Sequence, residues 1–393
     1  MGDFGVKTIK ELAIEGLIEG KKVLIRTDFN VPLKNGMISD DSRIKSTMPS
    51  IRFCLENGAS QIILMSHLGR PKGKVDKKLS LKPVAEKLSE LMNEKVYFFD
   101  KYLEKPIPKT KKLVLLENLR FNEEETSNEK KFSKKLASLG DIFIQDAFGT
   151  CHREHASTVG VPEIMKKEKK ILGIGFLVEK ELEMLNFNNV SYPFYAILGC
   201  AKISDKIEVI EELLKRVDKL FLGGAIVFTF LKAQGYEVGT SLVEDDKLDL
   251  AKKLLKEHKN KLVFPVDIVI SDDVDGGEIF TVDFDKIPEN MKGLDIGDES
   301  VDLFKEELEE ASTIFWNGPL GVFEMPPFDT ATRDIAEYLA KSMKHVVIGG
   351  GDTHKAINDF RLQHYFTHIS TGGGAALELV AGHKLPAIEI LKE

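Results

Sequence analysis

Cysteine is scarce in this chain, and long hydrophobic segments are missing altogether. The 393 residues include three cysteines, Cys54, Cys151 and Cys200. Their odd number and wide spacing predict neither a disulfide framework nor a zinc knuckle. No apolar run approaches the roughly 18 residues of a membrane span, and residues 1–10 lack the apolar core of a signal peptide. We therefore expect a cytoplasmic protein that does not bind membranes.

The sequence also lacks two signatures of nucleic-acid and nucleotide binding. No basic stripe is interleaved with aromatic side chains, so nucleic acid is not an expected partner. The P-loop pattern Gly-x-x-x-x-Gly-Lys-Ser/Thr does not occur. Charge is instead divided between the halves, with a net +8 in residues 1–175 and −16 in residues 176–393.

Alternating strand and helix patterns predict two α/β domains, as the length of the chain also suggests. Nearly continuous apolar runs, such as 61–65 and 113–116, alternate with amphipathic stretches, which is typical of parallel sheets covered on both faces. The pattern breaks into a predicted loop over 160–175 and restarts after a predicted helix. We therefore predict two doubly wound, Rossmann-like domains with a cleft between them, at 1–175 and 191–379, joined by an interdomain helix within 176–190.

Arginines mark the first half, where lysine is otherwise the common base. Ligands of open parallel sheets bind beyond the carboxyl ends of the strands, and we predict four arginines in such loops: Arg43, Arg70, Arg120 and Arg153. Guanidinium forks suit phosphate and carboxylate groups. Asp28, Asn30 and His67 also follow predicted strands, although Asp28 and Asn30 are equally typical of an ordinary turn. Arg52, in a predicted helix, is read as solvated surface, and Arg26, at a strand end, is ambiguous.

Glycine runs after apolar strands mark the second half. They include Gly223 and Gly224, residues 349–351 before Asp352, and residues 372–374. Amides at a helix start bind polyphosphate, so an acidic half can still hold a nucleotide that arrives with Mg²⁺. Lys202 and Lys206 are four residues apart near a predicted helix start at residue 205, so we expect both on one side.

Three further motifs bear on ligand binding. Asp352 is either a helix cap or a metal ligand on nucleotide phosphates. The turn over 316–324 ends in Glu324 and suits a ribose or adenine shelf. The segment 151–155 contains one cysteine and two histidines, but its spacing matches no zinc motif. We favour a phosphate-binding Arg153 beside a polarising histidine.

An acidic metabolite on one half and a nucleotide on the other predict phosphoryl transfer across a cleft. One alternative is a two-domain anion-binding protein without enzymatic activity. Another is a small-molecule kinase that acts on a different carboxylate or acyl phosphate.

Eight segments, taken in order, resemble the phosphoglycerate kinase family: 26–32, 66–70, 117–121, 149–157, 199–206, 316–324, 349–352 and 371–374. The resemblance runs from about residue 7 to the C-terminus. It implies a monomeric glycolytic enzyme that reversibly converts 1,3-bisphosphoglycerate and ADP to 3-phosphoglycerate and ATP with Mg²⁺. It also implies that the C-terminal tail, 380–393, packs back on the first domain.

The resemblance assigns residues to each ligand. The residues it implies for triose binding are Asp28, Asn30, Arg43, His67, Arg70, Arg120 and Arg153. The residues it implies for nucleotide binding are Lys206, Gly223, Gly224, Gly293, Pro319, Glu324, Gly350, Gly351, Asp352 and Thr353. Asp352 would also hold the metal. We expect Arg43, Lys202 and the Gly373 amide to stabilise the travelling phosphoryl group by in-line transfer after the domains close.

Several positions depart from the pattern of that family. Glycines are expected at three positions that here carry Cys200, Ala225 and Ala331. Ile226 stands where a methionine is expected. Cys151 and Glu154 stand where alanines are common. We expect Ala225 to narrow the adenine pocket and Cys200 to crowd the phosphate loop.

Overall fold

The computed structural model describes residues 4–34, 36–187, 190–275 and 277–392. The chain folds into two compact units. The first takes the residues up to Glu183 together with those from Lys384 onward, and the second runs from Met184 to His383. The predicted connector reached residue 190, and its Asn188 and Asn189 lie outside the described residues. So do residues 1–3 and Glu393, at the outer ends of the predicted first domain and tail.

The first unit is a parallel α/β sandwich. Its strands are β1 (Lys22–Thr27), β2 (Leu33–Lys34), β3 (Met37–Ile38), β4 (Gln61–Met65), β5 (Val96–Phe99), β6 (Leu113–Leu116), β7 (Ile142–Asp146) and β8 (Ile171–Ile174). Its helices are α1 (Ile9–Ile14), α2 (Ser42–Glu56), α3 (Lys82–Met92), α4 (Glu123–Thr126), α5 (Lys130–Ala137), α6 (Val161–Lys167), α7 (Phe176–Leu185, which crosses into the second unit) and α15 (Pro386–Glu389).

Six of these strands form one parallel sheet in the order β5-β6-β4-β1-β7-β8. The central strands β1, β4, β6 and β7 are buried almost throughout, which explains their nearly unbroken apolar sequences. Because all six run in the same direction, the polar residues that follow them collect at one edge of the sheet.

The second unit repeats this architecture. Its strands are β9 (Phe194–Gly199), β10 (Lys219–Gly223), β11 (Leu262–Val263), β12 (Asp267–Ser271), β13 (Ile279–Asp283), β14 (Lys292–Ile296), β15 (Thr313–Asn317), β16 (His345–Gly349) and β17 (His368–Ile369). Its helices are α8 (Ile207–Arg216), α9 (Ile226–Ala233), α10 (Leu248–His258), α11 (Asp298–Leu308), α12 (Thr330–Lys341), α13 (Gly351–Asp359) and α14 (Gly374–Val380).

The main sheet of the second unit has the parallel order β11-β10-β9-β15-β16-β17. Together the two six-stranded sheets confirm the prediction of two doubly wound α/β units. Across the described ranges, no helix is long and apolar enough to cross a membrane.

Three local predictions are wrong. The loop expected over 160–175 contains α6 and β8, because the apolar run of the edge strand β8 is only four residues long and is interrupted by Gly173. The strand expected at 268–270 does not extend the parallel sheet, since β12 lies in a separate antiparallel sheet of order β13-β12-β14. Pro49, expected near the first turn of a helix, lies in the middle of α2.

Asp146 caps the start of α7 from the end of β7. Its Oδ1 accepts hydrogen bonds from the amides of Leu177 (3.0 Å) and Val178 (3.4 Å). Its side chain is fully buried, and its Oδ2 has no hydrogen-bond partner among the residues that the structure describes. Burial raises the pKa of Asp146 to about 7, against the lowering effect of the nearby Ser50 hydroxyl and the two amides.

Candidate functional site

The carboxyl edge of the first sheet gathers most of the predicted triose ligands. Asp28 and Asn30 follow β1, and His67 follows β4. Arg120 lies in a short 3₁₀ turn after β6. The loops are tied together, because Asn30 Oδ1 accepts from the Gly69 amide (2.8 Å) and Arg120 donates to the Gly69 carbonyl (2.9 Å).

Arg43 does not lie in a loop, as the sequence predicted, but in the first turn of α2. The prediction was wrong because α2 begins two residues earlier than its apolar pattern suggested. From the helix, the guanidinium forms an ion pair with the buried carboxylate of Asp28. About a third of the Arg43 side chain remains accessible, so it can also contact a ligand.

The other two predicted arginines differ in how closely they join this cluster. Arg153 is half-buried and close enough to lower the pKa of Arg120 and His155. Arg70 is exposed. Neither side chain makes a hydrogen bond or ion pair with any residue in the described part of the chain, so both are available to an anion.

Sequence reasoning left one central residue unassigned, namely Arg26. This guanidinium is fully buried. Its Nε donates to Ser157 Oγ (2.7 Å), and one terminal nitrogen donates to the Thr27 carbonyl. The other terminal nitrogen lies 3.2 Å from His67 Nδ1. An arginine within an otherwise apolar strand was the available signal, since such a charge is buried only when it is paired.

Electrostatics at this edge favour binding of an anion. Burial, followed by the charges of Arg26, Arg120 and Arg43, lowers the pKa of His67 well below its usual value. Burial and the charges of neighbouring arginines also lower the pKa of His155 to about 4 and that of Arg120 to about 10. Positive charges that depress one another's pKa values are relieved by an incoming phosphate or carboxylate.

A cavity of about 420 Å³ lies at the carboxyl edge of the second sheet, a size typical of small-ligand pockets. Of the predicted nucleotide ligands, Lys206, Gly224, Gly293, Pro319, Glu324 and Asp352 line it. The lining does not include the predicted ligands Gly223, Gly350, Gly351 and Thr353. Gly223 packs beneath Leu320, whose Cδ2 would lie 2.4 Å from an added Cβ.

Two glycines keep the cavity open. Gly224 has φ of +68°, a conformation that favours glycine, and an added Cβ would lie 2.9 Å from the Cys200 carbonyl. At Gly293, an added Cβ would meet the Phe228 ring at 2.0 Å. Cys200 and Ala225 also line the cavity, whereas Ile226 and Ala331 are buried outside its lining.

Lys206 and Lys202 occupy different environments, so the expectation of a shared helix face is wrong. The helix α8 begins only at Ile207, which leaves Lys202 in the preceding loop. Lys206 is half-buried and donates to the Gly199 carbonyl (3.0 Å) and to Asn317 Oδ1 (2.5 Å), and burial lowers its pKa. Lys202 is exposed, and its ammonium group has no hydrogen bond or ion pair within the described ranges.

Gly350 precedes α13 as its N-cap, and Gly351 and Asp352 form its first turn. Asp352 makes no capping hydrogen bond, so the helix-cap interpretation is wrong for this residue. Its exposed carboxylate lies at the cavity. Thr353 is buried, and its hydroxyl accepts from the Gly318 amide (2.6 Å), so it fixes the neighbouring turn.

Glu324 and Gly373 remain open to a ligand. The Glu324 carboxylate is exposed and lies 3.8 Å from the Lys355 ammonium. Gly373 has φ of +52° and immediately precedes α14, with open space where a Cβ would stand. The described residues contain no group of three or more His, Cys, Asp or Glu side chains able to hold a metal ion.

Comparison with known proteins assigns the family. The family model described as Phosphoglycerate kinase matches residues 14–383. The chain is 46% identical to the phosphoglycerate kinase of Dictyoglomus turgidum over 401 residues, covering 98% of this chain and 99% of the relative. It is 44% identical to that of Clostridium tetani, with coverages of 99% and 98%.

Solved structures agree with these matches. The phosphoglycerate kinase of Coxiella burnetii superposes with a TM-score of 0.90 at 39% identity, and that of Pyrococcus horikoshii with 0.81 at 30%. Both comparisons cover 98% of each chain. The chain therefore belongs to the phosphoglycerate kinase family, whose members are kinases that transfer a phosphoryl group reversibly in glycolysis.

Proposed function

We propose that this protein transfers a phosphoryl group between 1,3-bisphosphoglycerate with ADP and 3-phosphoglycerate with ATP. The observation that carries the proposal is the cluster of arginines and low-pKa histidines at the carboxyl edge of the first sheet. A triose with a phosphate at one end and a carboxylate at the other supplies the negative charge that this cluster lacks. We further propose that the protein is monomeric and cytoplasmic.

The first unit holds the triose in this proposal. Arg70, Arg120 and Arg153 contact its phosphate and carboxylate, together with His67. Asp28 accepts a hydrogen bond from the triose hydroxyl, and the Asn30 side-chain NH2 donates to a ligand oxygen. The support is that Asp28 is already fixed by Arg43, and Asn30 by the Gly69 amide, so these side chains are preorganised before the ligand arrives.

The second unit holds the nucleotide. The 420 Å³ cavity takes the adenosine between Gly224, Gly293 and Pro319, with Glu324 at the ribose. Lys206, the Gly350 and Gly351 amides and Thr353 lie toward the phosphates. The support is the position of Lys206 on the cavity wall at the start of α8, beside the loop that leads into α13.

Magnesium enters with the nucleotide. Mg²⁺ is usually bound by one or two protein carboxylates together with substrate phosphates, and the exposed Asp352 carboxylate at the cavity fits that pattern. Asp352 and the phosphates would hold the ion, and the ion would neutralise phosphate charge during transfer.

The reaction is an in-line transfer that needs alignment and charge neutralisation more than covalent chemistry. Arg43 and Lys202 stabilise the travelling phosphoryl group, and the amide of Gly373 assists. Because the two ligands bind on separate units, transfer requires the units to close and bring the ligands together. Closure also excludes water and so prevents hydrolysis of the nucleotide.

A coupled assay tests this function. The purified protein is supplied with ATP, Mg²⁺ and 3-phosphoglycerate, and the formation of 1,3-bisphosphoglycerate is followed by its reduction in a second enzymatic step. We expect rapid turnover that EDTA abolishes. Turnover with another carboxylate but not with 3-phosphoglycerate would indicate a different small-molecule kinase. Tight anion binding without turnover would indicate a binding protein.

A further inference from the structure

Behind the proposed triose site lies a buried chain of four side chains. The carboxylate of Glu125, fully buried, accepts from Ser157 at two points, the amide (3.0 Å) and Oγ (2.5 Å). Ser157 Oγ contacts Arg26 Nε at 2.7 Å, and a terminal nitrogen of Arg26 lies 3.2 Å from His67 Nδ1. The four residues come from distant parts of the sequence, yet each contacts the next.

The donor and acceptor roles along this chain are fixed by chemistry. An ionised carboxylate only accepts hydrogen bonds, so the Ser157 hydroxyl must donate to Glu125. The hydroxyl oxygen is then left to accept from Arg26 Nε. A guanidinium has donors and no acceptor, so Arg26 must also donate to His67. The Nδ1 atom of His67 therefore has to be an unprotonated acceptor, and the ring proton belongs on Nε2.

The environment of His67 supports the same protonation state. The residue is 4% exposed. The charged and titratable groups around it are Arg26, Arg120, Arg43 and His155, and Asp28 is ion-paired to Arg43. Burial and these arginines together lower the pKa of His67. The Nε2 atom makes no hydrogen bond to any residue in the described part of the chain.

We propose that Arg26 is a positioning residue, which holds His67 as the Nε2–H tautomer so that this ring offers the triose anion a neutral hydrogen-bond donor. The inference rests on the proposed function, because it takes His67 as a triose ligand. Ser157 contacts Arg26, and Glu125 contacts Ser157, so these two residues fix the plane of the Arg26 guanidinium. A neutral donor adds no further charge to a site already crowded with arginines, and it leaves triose binding independent of His67 titration.

Nitrogen NMR of the histidine rings tests the proposal in the wild-type protein. Long-range ¹H–¹⁵N spectra distinguish pyridine-type from pyrrole-type nitrogens, and the His67 signals are assigned by their loss in His67→Gln. We expect a pyridine-type Nδ1 and a pyrrole-type Nε2 from about pH 8 down to about pH 5.5. A protonated Nδ1, or an imidazolium at pH 7, would overturn the proposal.

Kinetics of variants separate positioning from mere structural support. Ser157→Ala removes the anchor of Arg26, and we expect the KM for 3-phosphoglycerate to rise roughly tenfold while kcat and the KM for ATP change less than about twofold. The matched control is Ser133→Ala, a buried serine of the same unit whose hydroxyl donates, among the described residues, only to the Glu129 carbonyl. Equal effects of the two substitutions would contradict a positioning role.

The pH profile gives a third readout. In His67→Gln the amide keeps a neutral donor near the position of Nε2, so we expect it to retain most of the affinity for 3-phosphoglycerate. The ratio of the wild-type KM to that of the variant should stay constant between about pH 5.5 and 8, since ionisation of the substrate cancels. A ratio that changes with a single titration would show that His67 acts as a cation.

These outcomes are distinguishable from failure of the proposed function. If the wild type does not turn over 3-phosphoglycerate and ATP, the proposed function fails, whatever the tautomer of His67. If turnover is normal but the ring nitrogens show the other tautomer, only the role of Arg26 is wrong. The wild-type spectrum decides the tautomer even if Ser157→Ala does not fold.

Discussion

At the scale of single residues, arginines of the first unit differ in their surroundings rather than in their chemistry. Arg52 is exposed on α2 and donates to the Leu91 carbonyl at 3.2 Å. Arg43, nine residues earlier in the same helix, pairs with the buried Asp28. Arg26 is fully buried within β1. Only the last two are oriented by other buried polar groups, which is what a preorganised anion site requires.

Removing one of the charges assigned to the travelling phosphoryl group should mainly slow turnover. We expect Arg43→Ala and Lys202→Ala each to lower kcat by about a hundred- to a thousandfold, because one preorganised donor contributes about 3–4 kcal/mol to the transition state. Steady-state kinetics in the coupled assay measure this.

Matched controls are Arg52→Ala, on the same helix as Arg43, and Lys256→Ala, an exposed lysine of the second unit. Both should leave kcat nearly unchanged. A loss of less than about tenfold for both Arg43→Ala and Lys202→Ala would remove them from the mechanism.

Ala225 lies at the cavity that we propose for the nucleotide. Its side chain lines the cavity beside Gly224 and Cys200, so Ala225→Val places two more methyl groups there. We expect the Kd for ADP, measured by calorimetry, to rise roughly tenfold or more. The control Ala340→Val makes the same change in α12, outside the lining of the cavity. Unchanged ADP affinity in Ala225→Val would show that the nucleotide binds elsewhere.

At the scale of elements, the sequence predicted best those segments whose burial is uniform. The strands β4 and β6 were predicted with their observed bounds because both faces of each are covered. The edge strand β8 was missed because its apolar run is only four residues long and is interrupted by Gly173. The strand β13 was missed because its apolar residues, Ile279, Phe280 and Val282, do not alternate strictly with polar ones, and most of the strand is exposed. The antiparallel pairing of β12 depends on partners that local periodicity does not reveal.

The candidate site was likewise predictable only in part. Loop residues such as His67 and Arg120 were predictable, because a polar residue after an apolar strand marks a sheet edge. The contact between Arg26 and Ser157 spans 131 positions, and that between Ser157 and Glu125 spans 32. Spacing along a sequence cannot reveal such pairs, since the fold alone brings them together.

The cap of α7 makes stability depend on pH in a defined direction. The pKa of Asp146, about 7 in the folded protein, lies above its ordinary value. As pH rises from about 4 to about 7, the unfolded chain loses this proton while the folded protein keeps it. The folded state therefore loses stability across that window.

The variant Asp146→Asn cannot titrate but keeps an oxygen that can accept from Leu177. We expect its free energy of unfolding, relative to wild type, to increase by about 1–4 kcal/mol between pH 4 and pH 7. Chemical denaturation at a series of pH values measures this difference. The exposed Asp100→Asn is the control, and a difference that is constant with pH would show that Asp146 is ionised throughout.

At the scale of the whole molecule, we propose that each unit binds one substrate. Residues such as Arg43 belong to the first unit, and Lys202 belongs to the second. Neither unit alone holds all the groups that the transfer needs. Catalysis by this account therefore requires a closed state that forms when both ligands are bound.

Small-angle X-ray scattering tests that central claim most directly. The radius of gyration is measured for the free protein, for the complexes with 3-phosphoglycerate or Mg-ADP alone, and for the complex with both. We predict a decrease only when both ligands are present. A radius of gyration that does not change in the ternary complex would contradict the account.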